Sequence, residues 1–178
     1  MTGLARAFAL LTFATLLAAV VIVLYLRPAP PNAGLGPLSG SINRIVVDKA
    51  ARRMVVYHDA VALRSYSVAL GFAPVGDKQR QGDGRTPEGR FRIDRKNAGS
   101  AFTLSLGLDY PHLPDVARAA KGGYDPGGDI MIHGQPNAMP QGMMAKGDWT
   151  AGCIALTNPA MREVFAATEI GTMVDIRP

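Results

Sequence analysis

From Ile42 to the C-terminus the chain is written in short segments rich in Val and Ile. Each is closed by Gly, Pro, Asp or a cluster of charges, a punctuation that admits strands but leaves room for few helices. Residues 42–47, 54–57 and 61–70 read as a β-meander, with turns at 48–52 and at His58-Asp59. A long loop dense in Gly, Pro, Asp and Lys covers 71–89, and 90–94 alternate around Phe91 and Ile93 as a half-buried strand does. Further strands are expected at 101–108, 129–133, 152–156 and 173–176. Two short helices complete the pattern. One covers 114–121 and is stopped by Gly122-Gly123. The other opens with Asn158 as N-cap and Pro159 at its first position, lays Met161, Val164, Phe165 and Thr168 on one face, and ends at Gly171-Thr172. The expected class is mainly β: a sandwich or barrel-like domain with a few short helices.

The N-terminus obeys a different rule. Residues 7–26 carry no charge and are bounded by Arg6 and Arg27, and twenty such residues in helix match one bilayer core of about 30 Å. A cleaved signal peptide ordinarily has a shorter apolar region and a small-x-small site, so the favoured reading is a retained transmembrane anchor over 1–27, with secretion after cleavage as the alternative. Residues 28–40 hold four prolines and three glycines and read as a tether. The expected organisation is thus anchor 1–27, tether 28–40 and one domain over 41–178. The positive-inside bias favours the N-terminus in the cytoplasm and the domain on the outer side of the membrane.

Setting aside Arg6 and Arg27, the domain keeps 17 basic and 14 acidic residues, a mild net charge of +3. It has no basic helix, basic run or interleaved aromatic stripe, so no nucleic-acid partner is expected. Neither His-Glu-x-x-His nor Cys-x-x-Cys occurs, and the glycine-rich stretch 82–89 lacks the Gly-Lys-Ser/Thr ending of a phosphate loop. No metal and no organic cofactor is expected.

Cys153 is the only cysteine, so it has no intramolecular disulfide partner. Taken alone, it reads either as a small buried hydrophobe or as a nucleophile. Its setting in Trp149-Thr150-Ala151-Gly152-Cys153-Ile154, where a polar loop enters an apolar strand, favours the nucleophile. Gly152 allows a backbone N–H to come close to a reacting carbonyl, as an oxyanion site requires. Three histidines are present. His58 falls in a turn and His112 in a proline-rich loop, whereas His133 ends the run Ile130-Met131-Ile132 and precedes Gly134, which makes it the candidate base.

These residues resemble the L,D-transpeptidase (YkuD-type) catalytic domain. Ile132-His133-Gly134 followed by Thr150-Ala151-Gly152-Cys153-Ile154 is similar to its signature. Arg85-Thr86-Pro87-Glu88-Gly89 leading into Phe91, Tyr110-Pro111 and Gly128-Asp129-Ile130 fit as well. The commonest pattern has a histidine where this chain has Ala151 and an arginine where it has Ala155. The sequence is thereby more similar to the Gram-negative, murein YafK-type branch.

The resemblance implies acyl transfer on peptidoglycan stem peptides at meso-diaminopimelate. Cys153 would be the nucleophile and His133 the proton donor and acceptor, with Gly152 at the oxyanion and the Gly134 carbonyl orienting the imidazole. Trp149, Thr150, Arg85 and Tyr110 would meet substrate, with Lys78 a further partner for its carboxylates. The departures leave two other readings open: hydrolysis of cross-links or of a murein–lipoprotein link at the same site, and an inactive wall-binding module.

Overall fold

The computed structural model describes residues 38–140 and 143–178. The apolar segment 7–26 and most of the expected tether lie outside them. Among the described residues no helix is long and apolar enough to cross a membrane.

Eight strands and two helices make up the described chain. The strands are β1 Ile42–Asp48, β2 Arg53–His58, β3 Val61–Ser67, β4 Gly89–Asn97, β5 Ser105–Leu108, β6 Met131–His133, β7 Ile154–Ala155 and β8 Thr168–Arg177, and the helices are α1 Leu113–Gly122 and α2 Asn158–Ala167. The strand order is β3-β2-β1-β8-β4-β5-β6-β7. The first three strands form the expected meander, paired antiparallel. β8 then lies parallel to β1. β4 is the element that curls the sheet. Its first half, Gly89 to Arg92, pairs with β8, and its second half, from Ile93 on, pairs with β5 across a register shift. A bulge of this kind bends and twists a strand. The two ends of the sheet consequently meet, with Ala69 bridging Ala155 and Gly71 bridging Thr150.

The core follows the alternation in the sequence. Ile45, Val47, Met54, Val56, Phe91, Ile93, Val174 and Ile176 point inward from their strands, joined by Met161 and Val164 of α2. Two lysines are buried in the loop region. Lys49 Nζ donates to Gly76 O at 2.7 Å, to Thr86 O at 2.9 Å and to Glu88 at 2.7 Å. Thr86 in turn accepts Gly71 N–H at 3.0 Å. The Thr-Pro-Glu-Gly stretch is thus a brace that fastens the loop 71–89 to the sheet.

Three sequence expectations shift. The residue capping α2 is Thr157, not Asn158: Thr157 is extended and its side chain accepts Ala160 N–H, while Asn158 is the first helical residue and turns its Oδ1 to Gln135 N–H at 2.7 Å. α2 ends at Ala167 rather than at Gly171, because Thr168 becomes extended and pairs with Ile42. The strand expected over 101–108 begins only at Ser105, since Phe102 leaves the sheet to stack on the His133 ring.

Candidate active site

Parallel pairing of β6 with β7 sets Ile132 against Ile154 and His133 against Ala155. His133 therefore ends one strand as Cys153 enters the next, and both side chains line one cavity of about 420 Å³. The rest of its wall includes Phe102, Trp149, Met131 and Asp129.

The imidazole is held from three sides. His133 Nδ1 lies 2.6 Å from Gly134 O. A carbonyl only accepts, so Nδ1 carries the proton and Nε2 keeps the lone pair. Phe102 stacks obliquely on the ring at 4.7 Å between centroids, and Trp149 meets it edge-on at 5.8 Å. Gly134 permits this geometry: a Cβ there would lie 2.7 Å from Asn158 Oδ1 and 2.9 Å from Phe102 O. Burial holds the imidazole below its ordinary value of 6.5, with the Gly134 bond pulling the other way.

The thiol is partly accessible. Its Sγ donates to Asp129 O at 3.5 Å. Burial raises it above its ordinary value of 9.0. The Asp129 charge adds to the rise, while Met131 N–H, Lys78 and Arg95 oppose it. Both shifts favour the neutral forms of the two groups that line the cavity.

Thr150 builds the turn before the cysteine. It is buried, donates from Oγ1 to Cys153 O at 2.7 Å, and accepts Gly152 N–H at 3.1 Å on the same oxygen. Gly152 N–H, expected at the oxyanion, is engaged within the turn in this structure. What the position requires of glycine is steric: φ is 136°, and a Cβ would lie 2.7 Å from Arg85 O. Asp148, to which the sequence reading gave no role, anchors the turn. It accepts Leu70 N–H at 2.9 Å through Oδ1 and pairs with Arg52 at 2.8 Å through Oδ2.

The remaining expected residues divide. Trp149 is a wall of the cavity, as is Thr150. The buried Trp149 Nε1–H finds no acceptor among the described residues. Arg85 touches the site only through its carbonyl against Gly152. Its guanidinium donates to Asp77 O at 3.2 Å and faces a separate polar cavity of about 490 Å³, shared with Arg80, Asp83 and Tyr124. Tyr110 is buried away from the cavity, with its hydroxyl donating to Pro126 O at 3.0 Å. Lys78 is buried and paired with Asp83 at 2.9 Å, and it does not line the cavity. Phe102 was missed. Its only sequence signal was the Gly99-Ser100 break before it, which argues against a strand running through.

A curled β-sheet that delivers one thiol and one imidazole to a shared cavity defines a class of protein by its site as well as its fold. The chain belongs to the YkuD family of L,D-transpeptidase catalytic domains, whose family model matches residues 42–176. It is 28% identical over 134 residues to YafK of Escherichia coli (strain K12), a candidate L,D-transpeptidase. The match takes in 72% of this chain and 48% of YafK, so the chain spans about half the length of that relative. Among solved structures it resembles the helical cell shape determining protein Pgp2 from Campylobacter jejuni, with TM-score 0.59, 25% identity, and coverage of 81% of this chain and 52% of that one. The fold is shared with an L,D-transpeptidase from Xylanimonas cellulosilytica, at TM-score 0.52 and 17% identity over 82% of this chain and 66% of that one.

Proposed function

We propose that the domain transfers acyl groups of peptidoglycan stem peptides through a thioester on Cys153. The observation that supports this most is the His133–Gly134 bond, because it leaves the basic Nε2 of the imidazole in a cavity lined also by the thiol. In the first half-reaction Nε2 takes the thiol proton as sulfur attacks the carbonyl at the L-centre of meso-diaminopimelate. The C–N bond to the terminal D-alanine breaks and the imidazolium protonates the leaving amine. With Gly152 N–H engaged, the oxyanion donor in this reading is the Cys153 N–H. In the second half-reaction an amine of another stem attacks the thioester, restoring the thiol and making a cross-link.

A second reading lets water attack the same thioester. None of the described residues of the loop 135–147 lines the cavity, so the described loop forms no lid against water. The substrate would then be a cross-link or a murein-bound lipoprotein. The wall as substrate agrees with a periplasmic domain tethered through the apolar segment 7–26, which belongs to the same reading.

The test is mass analysis of products after incubating the protein with tetrapeptide muropeptides and with murein-bound lipoprotein, beside a Cys153→Ala control. New dimers absent from the control support transpeptidation. Tripeptide stems or free lipoprotein without dimers support hydrolysis. Identical behaviour of wild type and control on every substrate overturns both and leaves a wall-binding module.

A further inference from the structure

The candidate cavity is apolar and neutral over most of its wall, and Asp129 is the only formally charged side chain among the described residues that line it. One charge in such a cavity sets the orientation of whatever binds there. Asp129 is also the residue whose carbonyl accepts from Cys153 Sγ, so its carboxylate lies within one residue's length of the nucleophile. Its backbone sits in the left-handed region at φ 53°, which Asp tolerates better than most residues, and its side chain is 89% exposed.

The partner of that carboxylate comes from a different strand. Arg95 leaves β4, passes over β5, and reaches Asp129 at 2.9 Å, while its other edge meets Asp94 at 2.9 Å. It passes where β5 has no side chain: a Cβ on Gly107 would lie 2.6 Å from Arg95 Cγ and 2.7 Å from its Cζ. The pair therefore depends on a glycine in the intervening strand. Both members are solvent-accessible, and an exposed pair of this kind adds little to stability, so little is lost when a ligand opens it.

We propose that Arg95 and Asp129 form the specificity element of the site and read a zwitterionic amino-acid head group, with Asp129 taking the ammonium and Arg95 the carboxylate. This inference rests on the reading of Cys153 as nucleophile toward the L-centre of diaminopimelate. Three methylenes beyond that centre the same residue carries its D-centre, with a free ammonium and a free carboxylate on one carbon. The accessible anion beside the thiol and the cation paired with it present the charges complementary to those two groups. Charge-assisted bonds of this type discriminate against a ligand that lacks one of the two groups.

The experiment measures kcat/KM for D-alanine release by the full chain from two tetrapeptide stems, one with the D-centre carboxyl free and one with it converted to the carboxamide. Wild type, Arg95→Gln and Asp129→Asn are compared, with thermal unfolding of each to verify folding and Cys153→Ala as blank. Wild type is expected to prefer the free carboxyl by about tenfold, the value of one charge-assisted bond. Arg95→Gln should use both stems equally. Asp129→Asn should lose about tenfold on both, mainly through KM, because both keep the ammonium. Equal use of the two stems by wild type, a preference that survives in Arg95→Gln, or an unchanged KM in Asp129→Asn overturns this inference while Cys153-dependent release stands. Absence of Cys153-dependent release from either stem overturns the reading of the tetrapeptide stem as acyl donor, and this one falls with it.

Discussion

His133 Nδ1 donates to the carbonyl of the next residue, Gly134, at 2.6 Å, so the backbone of the loop that follows β6 fixes the tautomer of the imidazole. Gly134 is held in turn by its own N–H, which is shared between Phe102 O at 3.0 Å and Leu104 O at 3.3 Å. Gly134→Ala places a methyl group against both Phe102 O and Asn158 Oδ1 and must move this carbonyl. The expected result is a loss of about 10²-fold in kcat, the usual cost of misplacing a catalytic group by about 1 Å. Steady-state kinetics on the tetrapeptide stem checks it, and an unchanged kcat would show that the carbonyl does not position the ring.

The two shifts in the site point in opposite directions, and each has a definite sign. Burial lowers His133, so its neutral form persists in the folded protein below the ordinary 6.5, and kcat/KM is expected to rise with pH through a midpoint under that value. Burial raises Cys153, so alkylation of the thiol by iodoacetamide should titrate with a midpoint above 9.0. The stability consequence follows. The unfolded chain binds the histidine proton more tightly, so the His133 contribution is complete above 6.5 and is lost as pH falls below it. The folded chain binds the thiol proton more tightly, so the Cys153 contribution is lost as pH rises past 9.0. A thiol that titrates below 9.0 would indicate a thiolate–imidazolium pair instead.

Thr150 Oγ1 serves two partners inside the turn, and Thr150→Val removes both bonds at nearly constant shape. Leaving Gly152 N–H and Cys153 O without this partner should cost about 1–3 kcal/mol. Urea unfolding measures the loss, Thr150→Ser should restore most of it, and activity should fall in Thr150→Val beyond what the stability loss explains.

Lys78 and Asp83 form the most enclosed ion pair of the loop 71–89, with side-chain exposures of 2% and 10%. Burial works to raise the Asp83 carboxyl, but Lys78 and the N–H groups of Gln79, Arg80 and Arg85 prevail and hold it at about 2. Lys78→Met should destabilise the fold by about 1–3 kcal/mol, because the half-buried Asp83 carboxylate loses its cation while keeping the N–H groups of Gln79, Arg80 and Arg85. The depressed carboxyl also predicts that stability falls as pH drops below its ordinary 3.8 toward 2. Retention of wild-type stability in Lys78→Met would return Lys78 to the list of free cations.

Much of this protein was legible in order along the chain. The strands of the meander and the positions of Cys153 and His133 at strand ends came from short-range patterns, because inward and outward residues alternate and Gly or Pro breaks each run. The sequence marked 71–89 as a long loop and 82–89 as no phosphate loop, but not the brace that Lys49 makes of Thr86 and Glu88. Local signals misled at Phe102, where aromatic character suited a strand equally well, and at Asn158, where two good capping residues stood side by side and the demand of Gln135 decided between them.

What the sequence determined by itself is what depends on neighbours a few residues apart: the β-rich class, the break points, and a thiol and an imidazole each at a strand–loop junction. What only the tertiary structure decided is what crosses the sheet. The parallel register of β6 and β7 puts His133 and Cys153 on one cavity. The closure at Ala69 and Gly71 seats the turn that carries Trp149. The missing side chain at Gly107 lets Arg95 reach Asp129. Side-chain alternation has a period of two and says which face a residue takes, but it carries no information on which strand lies alongside or in which register. That choice is made by the whole buried surface at once, so the charge beside the thiol and the separation of Arg85 and Tyr110 from it appear only when the sheet has curled.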